Sequence, residues 1–335
     1  MRIDQIRQRL RAAGAKPVHE QRIVRAWLQA RALDSGCRRQ RAEDFLPLAL
    51  RQMLPALSAE LDGLARVRSE HAGRDGAARL LVELADGQTV ESVLLPRDGV
   101  CVSTQVGCAV GCLFCMTGQG GLLRQLGSAE IVAQVVLARR YRPVKKVVFM
   151  GMGEPAHNLD NVLEAIELLG LEGGIGHKNL VFSTVGDARV FARLPAGRVK
   201  PALALSLHTT DAGLRARLLP KAPDISPGTL VEQAEIYARL SGYPIQYQWT
   251  LLEGVNDSDA EIERLAGLLA GKYAMVNFIP FNAVEGSGFR RPSWERAASL
   301  AQRLRRHGIV ACLRDSAGQD VDGGCGQLRA RAIAG

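Results

Sequence analysis

Three cysteines in the first half of the chain have the spacing of a single ligand set. Cys108, Cys112 and Cys115 form the pattern C-x3-C-x2-C at the end of the segment "CVSTQVGCAVGCLFC" (101–115). Thiolates in such a pattern bind zinc or an iron–sulfur cluster. Structural zinc takes four protein ligands, usually from paired C-x2-C arms, and this chain has no matching second arm. The pattern therefore favours a 4Fe–4S cluster held by three thiolates.

A cluster bound by three cysteines leaves one iron open, as an enzyme that uses S-adenosylmethionine (SAM) as a radical source requires. Polar and glycine residues that follow several predicted strands could bind SAM: Gly153 and Glu154 its amino group, Ser183, Ser206, Leu207 and His208 its ribose and carboxylate, and Asn282 its remaining polar edge. Taken singly, each is more simply explained as capping a strand end, but their occurrence together favours the binding role. We interpret His208 in the same way, as a hydrogen-bonding residue rather than a metal ligand.

The elements that must position these residues are short β-rich runs that alternate with helical ones after residue 100. Seven strands are predicted, at "VCVST", "KKVVFM", "NLVFST", "ALALSLH", "IQYQWTLL", "MVNFIPF" and "IVACLR". Helices are predicted with Ser128 and Ser258 as their N-caps, and Glu261 completes a capping box with Ser258. Repeated βα units indicate a parallel sheet covered by helices. Six units are too few for an eight-stranded barrel, so we predict an α/β fold with a partial (β/α)6 barrel whose ligands bind at the carboxyl ends of the strands.

The pattern before residue 100 differs, which suggests three parts. Residues 1–60 have apolar residues at helical spacing and are predicted to form a small, basic helical domain. Residues 61–99 form a connector, in which 78–96 is a β-hairpin with its turn at Asp86-Gly87. Residues 100–335 are predicted to form the catalytic core, including a C-terminal loop around Cys325.

Charge and cysteine content restrict the class of protein. The net charge is +9, and residues 1–60 hold 12 Lys and Arg against 6 Asp and Glu. This excess is either an ordinary solvated face or an electrostatic footprint for nucleic acid. Seven cysteines, an odd number without a secretory signal, indicate a reducing, cytoplasmic location. Cys37 and Cys312 are predicted to be isolated thiols. No apolar run is long enough to span a bilayer, so we expect no membrane association.

Several motifs together resemble the RlmN/Cfr family of radical-SAM RNA adenine methyltransferases. They are the cysteine pattern with Phe114 before its last cysteine, "MGMGEP" (150–155), "FST" (182–184), "SLH" (206–208), "IPFN" (279–282) and "DGGCGQL" (322–328). These motifs occur in the order in which the family has them, and the resemblance covers nearly the whole chain. It implies a radical-SAM barrel, a 4Fe–4S cluster and two SAM molecules per turnover.

The resemblance also assigns roles to three further residues. Cys325 would be methylated by one SAM, and a 5′-deoxyadenosyl radical from the second would remove hydrogen from that methyl group. The resulting carbon adds to an electron-poor adenine carbon and joins protein to RNA. Glu91 would then accept the ring proton, and Cys101 would attack the sulfur of Cys325, releasing methylated RNA as a disulfide forms. The flanking Gly323, Gly324 and Gly326 fit a mobile loop.

The implied substrate is adenine C2 of 23S rRNA, with tRNA as a further candidate, and the implied partners include an electron donor such as flavodoxin. We expect a monomer. The resemblance implies that the basic helical domain, residues 1–60, is an accessory RNA-binding domain. Further candidates for RNA contact are the basic run "RRYRPVKK" (139–146) and Arg290–Arg291. The chain departs from the family pattern at Met116 and after His208, beginning at Thr209. These departures keep a Cfr-like reaction at adenine C8 open as an alternative. A redox iron–sulfur protein that binds RNA without methylating it would leave Cys325 unexplained.

Overall fold

Twelve strands and ten α-helices make up the part of the protein that is described by our computed structural model, residues 1–35 and 41–330; Cys37 lies outside it. The strands are β1 (Ala65–Ala72), β2 (Ala78–Leu84), β3 (Thr89–Leu95), β4 (Gly99–Cys101), β5 (Gln105–Gly107), β6 (Leu122–Gln125), β7 (Lys146–Phe149), β8 (Leu180–Thr184), β9 (Ala202–Ser206), β10 (Ile245–Leu251), β11 (Ala274–Pro280) and β12 (Val310–Leu313). The helices are α1 (Ile3–Ala12), α2 (Pro17–Leu28), α3 (Leu48–Gly63), α4 (Ser128–Tyr141), α5 (Leu159–Leu171), α6 (Ala188–Ala196), α7 (Ala212–Leu218), α8 (Pro227–Ser241), α9 (Asp259–Leu269) and α10 (Trp294–Arg306).

Ten of these strands form one sheet in the order β1-β2-β3-β4-β7-β8-β9-β10-β11-β12. From β4 to β12 every neighbouring pair is parallel, and helices connect the successive strands. This gives six βα units followed by a last strand, and the two edge strands, β1 and β12, do not pair with each other. The predicted α/β fold with an open, partial barrel is therefore confirmed.

The first part of the chain is joined to this sheet rather than separate from it. The hairpin predicted at 78–96 is present as β2 and β3, with Gly87 at a positive φ of 80°. A strand that the sequence did not predict, β1, extends the hairpin, and β3 pairs with β4. Helices α1, α2 and α3 contribute their buried apolar faces to the core that also fills the space between the barrel sheet and its helices. Helix α3 continues to Gly63.

Two helix starts show where local signals compete with long-range contacts. Ser258 is the N-cap of α9 and accepts a hydrogen bond from the backbone N–H of Glu261, as predicted. The other half of the box is absent, because the Glu261 carboxylate accepts from Thr209 and Thr210 instead. Helix α4 starts one residue earlier than predicted, with Gly127 as its N-cap. The described residues contain no helix long and apolar enough to cross a membrane.

The inner face of the barrel sheet carries small apolar residues along the strands and polar residues toward the carboxyl ends of the strands. Cys101, Val148, Val181 and Ala202 lie side by side in one row of the register. Val148, Val181, Ala202 and Ala204 form a buried cluster. The polar residues lie beyond it toward the carboxyl ends of the strands, which is the edge where parallel α/β folds bind ligands.

Candidate functional site

The loop between β5 and the short helical turn at Met116 carries Cys108, Cys112 and Cys115. The three thiols pack against a small apolar cluster that includes Phe114. Burial raises the pKa of Cys108 to about 12 and that of Cys112 well above its usual value, and charge on the neighbouring cysteines raises both further. The sulfurs of Cys108 and Cys112 would therefore carry protons at neutral pH unless a cation bound them, since metal-bound thiols are deprotonated.

The placement of these thiols fits a cluster better than a zinc ion. Within residues 1–35 and 41–330, no group of three His, Cys, Asp or Glu side chains is placed to hold a metal ion. Zinc gathers its sulfurs at bond lengths of about 2.3 Å, whereas each thiolate of a 4Fe–4S cluster binds a different iron, so its thiols lie further apart. Three half-buried thiols on one loop that do not converge on a single ion match the second arrangement.

Glu154 follows β7 and lies beside the cysteine loop. Gly153 has a φ of 101°, and a Cβ there would lie 2.6 Å from the side chain of Gln105, so glycine is required for this turn. The buried Glu154 carboxylate accepts hydrogen bonds from the N–H groups of Ala156 (3.1 Å) and Val185 (3.0 Å). Burial raises the pKa of Glu154 to about 7. The carboxylate is thus poised to ionise when a cation approaches.

The two serines and His208 end neighbouring strands at the same edge. Ser183 lies opposite Ala204, and Ser206 lies opposite Gln248. The ring of His208 meets that of Phe114 edge-on, with centroids 4.8 Å apart, and its Nδ1 accepts from the N–H of Thr250 at 3.0 Å.

Burial lowers the pKa of His208 to about 3, with the charge on Arg215 as a smaller cause. The ring is therefore neutral, and the hydrogen bond to Nδ1 assigns its proton to Nε2. His208 can serve as a hydrogen-bond donor but not as an acid. The Leu207 side chain lies in the hydrophobic core, so only its backbone remains available at this edge.

Asn282 joins the strand edge to the C-terminal loop. Its Nδ2 donates to Ser316 Oγ and to the carbonyl oxygen of Cys325, both at 2.9 Å. Its Oδ1 is buried and has no hydrogen-bond partner among the described residues. Because an unpartnered buried acceptor is costly, this oxygen is available to a ligand.

The loop that carries Cys325 packs directly on the cysteine loop. The N–H of Met116 donates to the carbonyl oxygen of Gly326 at 2.7 Å. Gly326 has a φ of 85°, and a Cβ there would lie 3.0 Å from the carbonyl oxygen of Phe114. The Cys325 side chain is exposed, yet surrounding protein raises its pKa by desolvation and charge on Cys115 raises it further, while a hydrogen bond with Ser316 lowers it. An exposed thiol therefore lies against the loop that carries Cys115, and we call this part of the surface the recess.

The structure also brings Cys101 to this recess. Burial raises the pKa of Cys101 to about 12, and charge on Cys325 is the second cause. The two thiols are free in this conformation. Glu91, by contrast, is completely buried. Its carboxylate pairs with Arg79 and accepts from the N–H groups of Arg329 and Ala330 at 2.7 and 3.0 Å.

One charged residue in the site was missed by the sequence analysis. Arg215, on α7, is 4% exposed and donates to the carbonyl oxygens of Val185 and Ser206. No sequence signal marks it, because a single arginine on a short helix is usually a surface residue. Only the fold reveals that this helix turns Arg215 inward beneath the strand ends.

Comparison with known proteins agrees with this arrangement. A model of the Radical SAM superfamily matches residues 102–266. The chain is 74% identical, over 99% of its length, to a "Probable RNA methyltransferase" of Thiobacillus denitrificans, of which it covers 91%. It is 75% identical, over 100% of its length, to a "Probable RNA methyltransferase" of Aromatoleum aromaticum, of which it covers 94%.

A solved structure matches over the same length. The crystal structure of a radical SAM methyltransferase from Sphaerobacter thermophilus has a TM-score of 0.86 and 36% identity, covering 99% of this chain and 98% of that one. Its extent shows that the N-terminal helices and the hairpin are shared along with the barrel. The chain therefore belongs to the radical SAM superfamily and, within it, to the family of these probable RNA methyltransferases.

Proposed function

We propose that this protein is a radical-SAM RNA methyltransferase of the RlmN/Cfr type that transfers a methyl-derived carbon to adenine C2 of 23S rRNA, with tRNA as a further candidate substrate. The relatives' names support the RNA methyltransferase class. The observation that carries the finer proposal is the position of the exposed Cys325, whose loop is hydrogen-bonded to the Cys115 loop through Met116 and Gly326 and which lies close enough to Cys101 for their charges to interact. A redox iron–sulfur protein would need no exposed thiol between the cluster loop and a second, buried thiol.

The cofactors are assigned to the residues that border this recess. Cys108, Cys112 and Cys115 would hold the 4Fe–4S cluster, which supplies the electron for reductive cleavage of SAM when it is bound. Glu154 would bind the SAM ammonium group. The remaining polar groups of SAM are assigned to the other residues at this edge. These are the hydroxyls of Ser183 and Ser206, the Nε2–H of His208, the backbone at Gly153 and Leu207, and the free Oδ1 of Asn282.

Cys325 carries the transferred carbon, and Cys101 releases it. Cys325 accepts a methyl group on sulfur from one SAM, and a second SAM is consumed in bonding that carbon to the adenine ring. Cys101 then attacks the sulfur of Cys325. The sulfur–carbon bond breaks as the disulfide forms, and the carbon keeps the electron pair and takes a proton to become the methyl group. Reduction of the disulfide by the electron donor returns both thiols.

Glu91 is proposed as the acceptor of the ring proton, in a conformation other than the one described. Both of its oxygens are engaged here, one by Arg79 and the other by the N–H groups of Arg329 and Ala330. The carboxylate becomes available to substrate only when residues 329–330 move away. Such movement is consistent with a Cys325 loop that must visit both SAM and RNA.

RNA would reach the recess across basic surface, and the first 60 residues are proposed as the accessory RNA-binding domain. The run 139–146 is less suited than the sequence suggested. It precedes β7 and so lies at the amino edge of the parallel strands, away from the cysteines. Several of its charges are also engaged, since Arg139 binds the carbonyl oxygens of Leu28 and Gly173, and Arg140 pairs with Asp62.

Mass spectrometry of RNA nucleosides tests the proposal. A strain that lacks the gene should lose 2-methyladenosine from its large-subunit rRNA, and the wild-type gene should restore it. The Cys325→Ala gene should not, because the methyl carrier is absent. Loss of 8-methyladenosine instead would assign the reaction to C8. Unchanged methyladenosine in rRNA and tRNA would contradict the proposal.

A further inference from the structure

Arg215 is a buried cation without a matching anion. Its Nη2 donates to the carbonyl oxygens of Val185 and Ser206, the latter at 3.3 Å, and its Nε is buried without a hydrogen-bond partner. Throughout the described part of the chain, no carboxylate forms an ion pair with it. A buried guanidinium in this state is costly, and buried charges are normally paired. The arrangement therefore lacks the anion that a buried guanidinium normally has.

The position of Arg215 identifies the part of a ligand that it would meet. The peptide group of Val185 lies between Arg215 and Glu154: its carbonyl oxygen accepts from Arg215, while its N–H donates to Glu154 Oε2 at 3.0 Å. Burial lowers the pKa of Arg215, and the nearby charges of Cys112 and Glu154 partly offset this. Arg215 thus lies beside the cluster loop, close to the carboxylate assigned to the SAM ammonium group.

A buried cation and a buried anion on either side of one peptide group match the two charges of an α-amino acid. We propose that Arg215 binds the α-carboxylate of SAM while Glu154 binds its ammonium group. Guanidinium recognises carboxylate with paired, charge-assisted hydrogen bonds. The carbonyl oxygens of Val185 and Ser206 hold the guanidinium in place for this contact. The inference rests on the proposed use of SAM, but not on the identity of the RNA or on the roles of Cys101 and Cys325.

Two other roles for Arg215 predict different behaviour. It could serve only to neutralise the cluster thiolates, in which case its loss would lower the iron content. It could also serve only to connect the ends of β8 and β9 through the two carbonyl oxygens. In that case its loss would weaken the binding of every ligand equally. Neither role depends on whether the ligand has a carboxylate.

A thermodynamic cycle, in which one change is made in the protein and one in the ligand, distinguishes these roles. Equilibrium binding to anaerobic, cluster-loaded protein is measured with S-adenosylhomocysteine and with S-adenosyl-3-thiopropylamine, which is the same molecule without its carboxylate. Arg215→Met should weaken the binding of S-adenosylhomocysteine by about 30-fold or more, as expected for loss of a buried charge pair. It should change the affinity for the decarboxylated analogue by less than about threefold. Arg217→Met, an exposed position on the same helix, should leave both affinities unchanged.

Arg215→Lys supplies a second variant in case Arg215→Met does not fold. It keeps the charge but loses the paired donors, so the affinity for S-adenosylhomocysteine should be intermediate. The inference would be overturned if Arg215→Met weakened the binding of both ligands equally or of neither. Loss of iron without a change in ligand preference would also overturn it. A protein that shows the expected preference but methylates no RNA would count against the proposed function and leave the role of Arg215 standing.

Discussion

Arg79 and Glu91 form a completely buried ion pair between adjacent strands of the hairpin, and this pair holds both flanks of the Cys325 loop. Arg79 Nε donates to the carbonyl oxygen of Val321 at 2.6 Å, on the N-terminal side of the loop. The Glu91 carboxylate accepts from Arg329 and Ala330 on the C-terminal side. The hairpin is thus an anchor for the loop that carries the exposed thiol.

Glu91→Gln should destabilise the protein markedly. Glutamine keeps the shape and can still accept from one N–H, but it leaves the Arg79 guanidinium buried without a counter-charge. Removal of one partner of a buried pair costs about 3–5 kcal/mol, measurable as a lower denaturant midpoint of anaerobic protein. Asp160→Asn, which breaks the exposed pair with Arg193, should cost less than about 1 kcal/mol. Equal losses in the two variants would show that the pair does not anchor the loop.

Much of the barrel was readable from the sequence, because its strands are short apolar runs between recognisable helices. Strand β1 was missed since its alternating charged residues resemble an exposed segment; it buries only part of one face against β2. The start of α4 shifted because the N–H of Gly127 is capped by Glu130 at 2.7 Å, while Ser128 Oγ binds the N–H of Ile3. Contacts between distant parts of the chain decided both cases.

In the candidate site, too, some residues could be predicted from the sequence and others could not. Cys108, Cys112 and Cys115 could be predicted from spacing, since their geometry is set within one loop. The environment of Glu91 could not, because its partners lie on another strand and near the C-terminus. Arg215 had no signal at all, since its inward direction depends on how α7 packs beneath the ends of β8 and β9.

Replacement of any one cluster cysteine should remove the cluster and spare the fold. Anaerobically reconstituted wild-type protein should contain about four irons and four sulfides per chain and show the brown absorbance of a thiolate-bound cluster. Cys108→Ala, Cys112→Ala and Cys115→Ala should lose both. Cys312→Ala, in β12, is the matched control and should keep them. Stoichiometric zinc in active protein purified without oxygen would contradict the assignment.

The binding of ligands with an amino-acid group should weaken in mild acid. Burial raises the pKa of Glu154 to about 7, and an ammonium group requires its ionised form. Below pH 7 the carboxyl is protonated, so binding must release a proton and affinity falls by up to about tenfold per pH unit. Above pH 7 the carboxyl is already ionised, and affinity should level off.

Isothermal titration of S-adenosylhomocysteine between pH 5.5 and 7.5 measures this dependence. 5′-Methylthioadenosine, which lacks the amino-acid group, should show a flat profile over the same range. Glu154→Gln should bind S-adenosylhomocysteine weakly and without this pH dependence. Parallel profiles for the two ligands in the wild-type protein would show that Glu154 does not bind the ammonium group.

Loss of Cys101 should trap a covalent complex between protein and RNA. The Cys101 thiol has its pKa raised to about 12 by burial and by the charge of Cys325, so it is protonated in the resting protein. Once Cys325 is a thioether it carries no charge, and the second of these causes disappears. Cys101 can then form a thiolate more readily and attack the neighbouring sulfur. Without it, the carbon–sulfur bond to the adenine has no nearby thiol to break it.

Cys101→Ala should therefore keep its iron and accumulate an adduct that survives denaturation and disappears with nuclease, as seen on denaturing gels and by mass spectrometry of the Cys325 peptide. The double variant Cys101→Ala, Cys325→Ala should form no adduct, because no carrier sulfur remains. Cys312→Ala should turn over normally and leave none. A structural role for Cys101 predicts lower stability or iron content and no trapped species. An iron-loaded Cys101→Ala protein that turns over repeatedly without an adduct would assign Cys101 to the barrel's packing rather than to its chemistry.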